Sequence, residues 1–117
     1  IAPSLVGSEM CIRDRKHSNK EKYFFSSIKS DHRKFEEKRY WRGPVWINCN
    51  WIIYQGLKNK DIKFANQIKK KTINLVKQKG FNEYFSCKTG KGFGATNFSW
   101  TASLFLDLIF ENKYEQL

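Results

Sequence analysis

An all-α fold, carrying inner and outer helices of an α/α toroid, is predicted by three features of the sequence. Two segments, "PVWINCNWIIYQGL" (44–57) and "FSWTASLFLDLIF" (98–110), are apolar around most of a helical circumference, the pattern of a helix buried on more than one side. Between them "DIKFANQIKKKTINLVKQKG" (61–80) has one apolar stripe and one lysine-rich face, as an outer helix with one wet side requires. Buried helix, amphipathic helix, long loop and buried helix then follow in the order that an inner ring wrapped by an outer ring produces.

The first helix is predicted over about residues 44–58. Pro44 suits the first helical position, where its missing N–H is not needed and its fixed φ is already helical, and Gly43 falls near the N-cap. The apolar positions are Val45, Trp46, Ile47, Trp51, Ile52, Ile53, Tyr54 and Leu57, with Asn48 and Gln55 sharing one face. After a turn at Asn59–Lys60, the outer helix presents Ile62, Ala65, Ile68, Thr72, Leu75 and Val76 inward and Lys69, Lys70, Lys77 and Lys79 outward. Asp61 is placed to cap its start and Gly80 to stop it. Residues 81–97 read as a loop in which Gly90, Gly92 and Gly94 prevent regular structure. The last helix is expected over about 98–111, with 113–117 as a tail.

The two ends of the chain carry less pattern. Residues 16–38 are polar and charged, broken by Tyr23, Phe24, Phe25, Ile28 and Phe35, and are expected to form a long irregular segment with at most a helical turn. Residues 1–15, "IAPSLVGSEMCIRDR", contain a peptide that resembles translated sequencing-adapter DNA, and they are expected to be a non-native leader outside the fold. On that reading the remainder is the C-terminal part of a longer protein.

Helix geometry makes a spatial statement. A helix of about 15 residues carries the chain roughly 22 Å, and one of about 18 brings it back roughly 27 Å. The segment "RYWRGPVW" (39–46) and the loop 81–97 should therefore meet at one end, although 37 positions separate Trp46 from Glu83.

The charge of +11 raises nucleic-acid binding as a class. Setting aside Arg13, Arg15, Glu9 and Asp14 leaves 20 basic and 9 acidic residues of the totals of 22 and 11, still +11. The cations are mostly lysine, alongside abundant asparagine and isoleucine, so they read as solvated background and no nucleic-acid partner is expected. Cys11, Cys49 and Cys87 have no CxxC or Cys/His spacing, so neither a metal site nor a disulfide framework is indicated. No cofactor is expected. No run approaches the roughly 18 apolar residues of a membrane span.

Glu83, in "GFNEYF" among Phe81, Tyr84 and Phe85, is the candidate catalytic carboxylate. The plainer reading, a loop carboxylate paired with a lysine, is favoured by composition alone. Glu36, Glu37, Glu111 and Glu115 read as solvated acids. Tyr40, Trp41 and Trp46 offer flat faces with polar edges, which suit a sugar ring and its hydroxyls; they serve equally as core, and Trp51 is read as core outright. Arg42 is assigned a structural role. His17 and His32 have no visible partner, and Lys69–Lys71 read as a solvated face. "KTGKGFG" does not match GxxxxGK[ST], follows no strand, and is rejected as a phosphate loop.

"YWRGPVWINCNWIIYQGL" followed by "GFNEYFSCKTGKGFGATNFSWTASLFLDLI" resembles the C-terminal end of family 63 glycoside hydrolases, nearest to the bacterial mannosylglycerate and glucosylglycerate hydrolase type. The pattern is YWRGPVW-x-N, then E-Y-[FY]-[DN]-x-x-T-G, then a polar residue and F-[SG]-W-T-A, met in order over about residues 35–111. The resemblance implies part of an (α/α)6 barrel, residues 39–112, that cleaves α-glycosidic bonds with inversion. It implies Glu83 as general base, Tyr40, Trp41 and Trp46 as lining of a sugar subsite, and Asn97 as the polar residue facing substrate. The partner implied is a small carbohydrate; oligomeric state is not implied. The chain departs from the pattern at Ser86, in place of Asp or Asn, and at Cys87, in place of Pro, which is expected to loosen that loop. The general acid implied for the family lies far upstream, so this segment alone is expected to be inactive. Trehalase-like and oligosaccharide α-glucosidase activities are alternatives, as is a small basic helical domain that binds nucleic acid.

Overall fold

The computed structural model of the chain describes residues 22–115, with side chains described as far as Glu111. Three helices, α1 (Ile47–Leu57), α2 (Ile62–Lys79) and α3 (Ser99–Glu115), each pack against the other two. Between α2 and α3 lies a two-stranded antiparallel hairpin of β1 (Tyr84–Phe85) and β2 (Gly92–Phe93). The all-α class predicted from the sequence therefore holds, with one small hairpin added.

That hairpin corrects the reading of 81–97 as a loop that its glycines keep irregular. Gly92 pairs with Phe85 inside β2, and a Cβ there would collide with the Asn82 side chain. The missing side chain lets another residue fill the space rather than breaking the strand.

Helix α1 starts three residues later than expected, because Val45 is committed elsewhere. Its N–H donates to the Phe85 carbonyl at 2.7 Å and its carbonyl accepts from the Phe85 N–H at 2.9 Å. Such a two-way exchange needs an extended backbone, which suits a β-branched residue. The N-cap is thus Trp46, at φ −114° and ψ 130°. Neither Gly43 nor Pro44 takes the place at the helix start assigned to it. Gly43 is instead a point of close approach, where a Cβ would run into the Glu36 carbonyl.

Helix α2 is capped as predicted. The Asp61 side chain accepts from the Phe64 N–H at 3.2 Å, and Gly80 ends the helix at φ 90°. Its buried stripe contains Ala65, Ile68, Thr72, Leu75 and Val76, but Phe64 replaces Ile62, which is 56% exposed. At about 100° per residue Ile62 stands about 120° round from Ile68, whereas Phe64 stands about 40° away on the other side. Helix α3 continues through Glu115, past the boundary expected at 111.

Residues 22–38 are largely irregular, as expected, and so are 39–46, yet Phe24 and Phe25 are buried with Tyr54, Leu57, Ile68 and Leu108. Asn50 holds them there. Its Oδ1 accepts from the Phe25 N–H at 3.0 Å, and its Nδ2 donates to the Phe24 carbonyl at 2.8 Å and to Thr72 Oγ1 at 3.0 Å. A second cluster of Val45, Ile47, Leu75, Val76, Phe85 and Cys87 lies beneath the hairpin. Ile52, Trp100 and Leu106 remain exposed, so α1 and α3 carry apolar faces that none of the described residues covers.

Glu111 is not the solvated acid it was read as. Its carboxylate accepts from Tyr54 Oη at 2.6 Å, Lys58 Nζ at 3.1 Å and Lys69 Nζ at 3.3 Å. This joins α2 and α3 to the C-terminal end of α1 and corrects the reading of Lys69 as purely solvated. Lys71 stays exposed, as read, with its Nζ over the Phe24 ring at 4.3 Å from the centroid. Burial works against ionisation of Glu111, but the bonds from Tyr54, Lys58 and Lys69 outweigh it and hold the carboxyl below its ordinary value of 4.5. A group depressed in the folded state contributes stability above its unfolded pKa and loses it as pH falls through the folded value. Denaturant midpoints should therefore fall as pH drops below 4.5, and fall less steeply in Glu111→Gln.

Candidate active site

The exchange between Val45 and Phe85 sets the register in which the two distant motifs meet, at one end as the helix lengths predict. Trp46, next after Val45, stacks on Tyr84, next before Phe85, with centroids 5.1 Å apart and planes 25° apart. Trp41 covers the remaining face of Trp46 at 4.2 Å and 15°. Tyr40 stands edge-on to Trp41, Trp46 and Tyr84, at 5.6, 4.8 and 5.4 Å. Its backbone has φ 25°, a left-handed conformation that costs a non-glycine residue on the order of 1–3 kcal/mol. The Trp46 Nε1–H, donating to the Tyr40 carbonyl at 2.7 Å, helps to hold it.

Glu83 is anchored on both oxygens. Tyr40 Oη donates to Oε1 at 2.9 Å and the Ala95 N–H donates to Oε2 at 3.0 Å. The backbone is fixed as well, since the Glu83 N–H donates to the Ala95 carbonyl at 2.9 Å and Thr101 Oγ1 donates to the Asn82 carbonyl at 2.8 Å. Each carboxylate oxygen keeps a further lone pair for another donor. Among the described residues no lysine pairs with Glu83, so the plainer reading of a loop ion pair does not describe it. The Tyr40 phenol is pushed above its ordinary 10.0, first because Glu83 holds its proton and then by desolvation and nearby negative charge.

Gly94 is what allows the chain to pass so near. At φ 74°, a Cβ on it would lie 2.5 Å from Glu83 Oε2 and 2.8 Å from Glu83 Cβ. Gly94→Ala should lower the denaturant midpoint by the equivalent of about 1–3 kcal/mol, since both the conformation and the space are denied to alanine.

The other expected residues fall as follows. Trp41 keeps an exposed outer face, 49% accessible. Trp46 does not. It is 2% exposed and lies between Trp41 and Tyr84, so it backs the platform instead of forming its surface. Asn97 is exposed at φ 52°, a conformation asparagine tolerates. It sits between Ala95, bonded to Glu83, and Phe98, whose N–H donates to the Phe81 carbonyl at 2.8 Å. Arg42 contributes through its backbone, accepting from the Glu36 N–H at 2.7 Å. Trp51 is half-buried, and its Nε1–H reaches Asp107 Oδ2 on α3 at 2.7 Å.

Ser86 and Cys87 do not loosen their loop. Ser86 is fully buried, its Oγ accepts from the N–H groups of Lys88 and Thr89 at 3.1 Å each, and it donates to Glu37 Oε1. A hydroxyl satisfies the turn as a short carboxylate or amide would. Sequence reasoning missed Thr101, Ala95 and Gly94 as supports of the carboxylate, and Tyr84 as part of the aromatic stack. Gly94 alone left a signal, as a glycine eleven positions after Glu83 in a segment treated as loop. No group of three or more His, Cys, Asp or Glu side chains suited to a metal occurs among the described residues.

Residues 10–101 match the family of mannosylglycerate hydrolase MGH1-like glycoside hydrolase domains. The chain belongs to this family. The mannosylglycerate hydrolase of Rubrobacter radiotolerans is 42% identical over 78 residues, 66% of this chain and 18% of that protein. The crystal structure of the GH63 mannosylglycerate hydrolase from Thermus thermophilus in complex with Tris and D-glycerate matches at a TM-score of 0.79 and 31% identity, over 95% of this chain and 26% of that one. Its complex with glucose matches at 0.76 and 35% identity, over 83% and 25%. This MGH1-like chain thus spans about a fifth of the curated relatives and about a quarter of the solved structures. The resemblance drawn from the YWRGPVW and EYF motifs is that of this same family. The fold is a partial helical toroid of the GH63 kind.

Proposed function

We propose that this MGH1-like segment carries the water-activating half of a longer glycosidase, which hydrolyses a small α-glucoside or α-mannoside with an acidic aglycone, of the glucosylglycerate or mannosylglycerate kind. One observation supports this above the others: Glu83 is held on both oxygens at the edge of an aromatic stack whose outer face, Trp41, is open. The sugar ring rests on Trp41, with Trp46 and Tyr84 backing it, and the Asn97 amide reaches a sugar or aglycone hydroxyl. Glu83, ionised, takes a proton from water on the face of the ring opposite the leaving group. The water oxygen bonds to the anomeric carbon as the glycosidic C–O bond breaks, and a second carboxyl protonates the departing oxygen. That carboxyl must stand roughly 6.5–9.5 Å away to leave room for the water, and the longer protein supplies it. The glucose and D-glycerate in complexes of the Thermus thermophilus relative support a small carbohydrate ligand with an acidic end.

The test is to express the full reading frame and follow mannosylglycerate, glucosylglycerate and trehalose by proton NMR. The first sugar released from an α-glycoside should be the β anomer. Release of the α anomer from mannosylglycerate or glucosylglycerate, or turnover by the 117-residue chain alone, would contradict the reading. Tyr40→Phe removes one anchor while leaving the base, so kcat should fall about tenfold, about 1.4 kcal/mol, with KM less affected.

A further inference from the structure

A second carboxylate on the Tyr40 loop is committed to a buried partner, and catalysis as proposed above does not use it. We propose that Glu37 is a positioning residue: through Ser86 it fixes the loop that places Tyr40 against Glu83. This rests on the reading of Glu83 as the base.

Residues 36–42 fold back on themselves. The Glu36 N–H donates to the Arg42 carbonyl at 2.7 Å, Arg39 N–H to the Glu36 carbonyl at 3.1 Å, and Arg42 N–H to the Arg39 carbonyl at 2.6 Å. A loop closed in this way moves as one piece. At its base the Gly43 N–H donates to Ser27 Oγ at 2.9 Å. Its side facing the hairpin makes two side-chain bonds, Tyr40 to Glu83 and Ser86 to Glu37. The pairs run antiparallel, three residues apart on each segment, so they act as two clamps on one seam. The Trp46 Nε1–H bond holds the Tyr40 backbone, and the Ser86–Glu37 clamp ties the other end of the loop to the hairpin, so that the loop does not pivot about Tyr40.

The chemistry of the second clamp is closed. The single Ser86 proton goes to Glu37, and both Ser86 lone pairs accept from Lys88 and Thr89. Ser86 is fully buried, so none of these bonds is exchanged cheaply for water. The pairing is also selective. An aspartate at 86 could accept the same two N–H groups, but it would have no proton for Glu37, and two carboxylates would face each other. A glutamine at 37 would relieve that, donating through Nε2.

The test measures kcat, KM and melting temperature in the full-length protein. Glu37→Ala should lower kcat about tenfold with KM changed less than about twofold, and Glu37→Gln, whose Oε1 still accepts from Ser86, should stay within about twofold of the parent. Ser86→Asp should lose activity, and Ser86→Asp with Glu37→Gln should regain most of it. A melting-temperature drop in Glu37→Ala with kcat unchanged would overturn the proposal, as would Glu37→Gln matching Glu37→Ala. Should Ser86→Asp fail to fold, the Glu37 pair decides alone. An inactive Glu83→Gln beside a fully active Glu37→Ala removes only this inference, whereas an active Glu83→Gln removes the assignment of the base itself.

Discussion

Glu83→Gln in the full-length protein is expected to lower kcat/KM by about 1,000-fold, about 4 kcal/mol, the middle of what general-base catalysis contributes. The substitution is close to isosteric, and the site can accommodate it. With the amide turned so that its oxygen accepts from the Ala95 N–H, its nitrogen donates to the Tyr40 hydroxyl, which can accept. Folding should therefore be preserved, with a melting temperature near that of the parent, while the ability to take a proton from water is lost. Because that interaction forms only as the reaction proceeds, kcat should carry the loss and KM should not. Activity within about tenfold of the parent would remove Glu83 as base.

Asn50→Leu is expected to be the most damaging change outside the site. Asn50 is 1% exposed, and its amide is the partner of the Phe25 N–H and the Phe24 carbonyl as well as Thr72. Leucine fills the volume but leaves two buried backbone groups unpaired, at about 1–3 kcal/mol each. Thr72 loses less, since its hydroxyl can turn to the helix carbonyl one turn back. The sum is about 2–6 kcal/mol, comparable with the whole stability of many small domains. Urea unfolding of the full-length protein measures it, and a loss below about 1 kcal/mol would show that water or a rearranged segment takes over those groups.

The helices were legible because hydrophobic periodicity and capping are local. Asp61 and Gly80 bound α2 as expected, the alternation of buried and amphipathic helices pointed to the helical fold, and the helix lengths gave the end at which the motifs meet. What failed was set by partners far along the chain. Val45 is extended because Phe85, 40 positions later, takes both its backbone groups, and nothing within "RGPVW" announces that. Asn50 looks like any other polar residue in an apolar helix until the irregular segment beneath it is seen to bury two phenylalanines. Glu37 and Glu111 looked solvated because acidic side chains usually are, and their partners lie 49 and 42–57 positions away. Within the candidate site, the motif singled out Glu83, Tyr40 and Trp41, which the fold brings together, whereas burial of Trp46 and the contacts of Gly94, Ala95 and Thr101 around Glu83 follow from packing.

A crystal of the full-length Glu83→Gln protein soaked with intact mannosylglycerate would examine the central proposition without relying on rates. The sugar ring should lie against the outer face of Trp41, with a water held by residue 83 about 3–3.5 Å from the anomeric carbon on the side away from the glycerate. A sugar seated away from Trp41, or a water at that carbon held by another carboxylate, would contradict it.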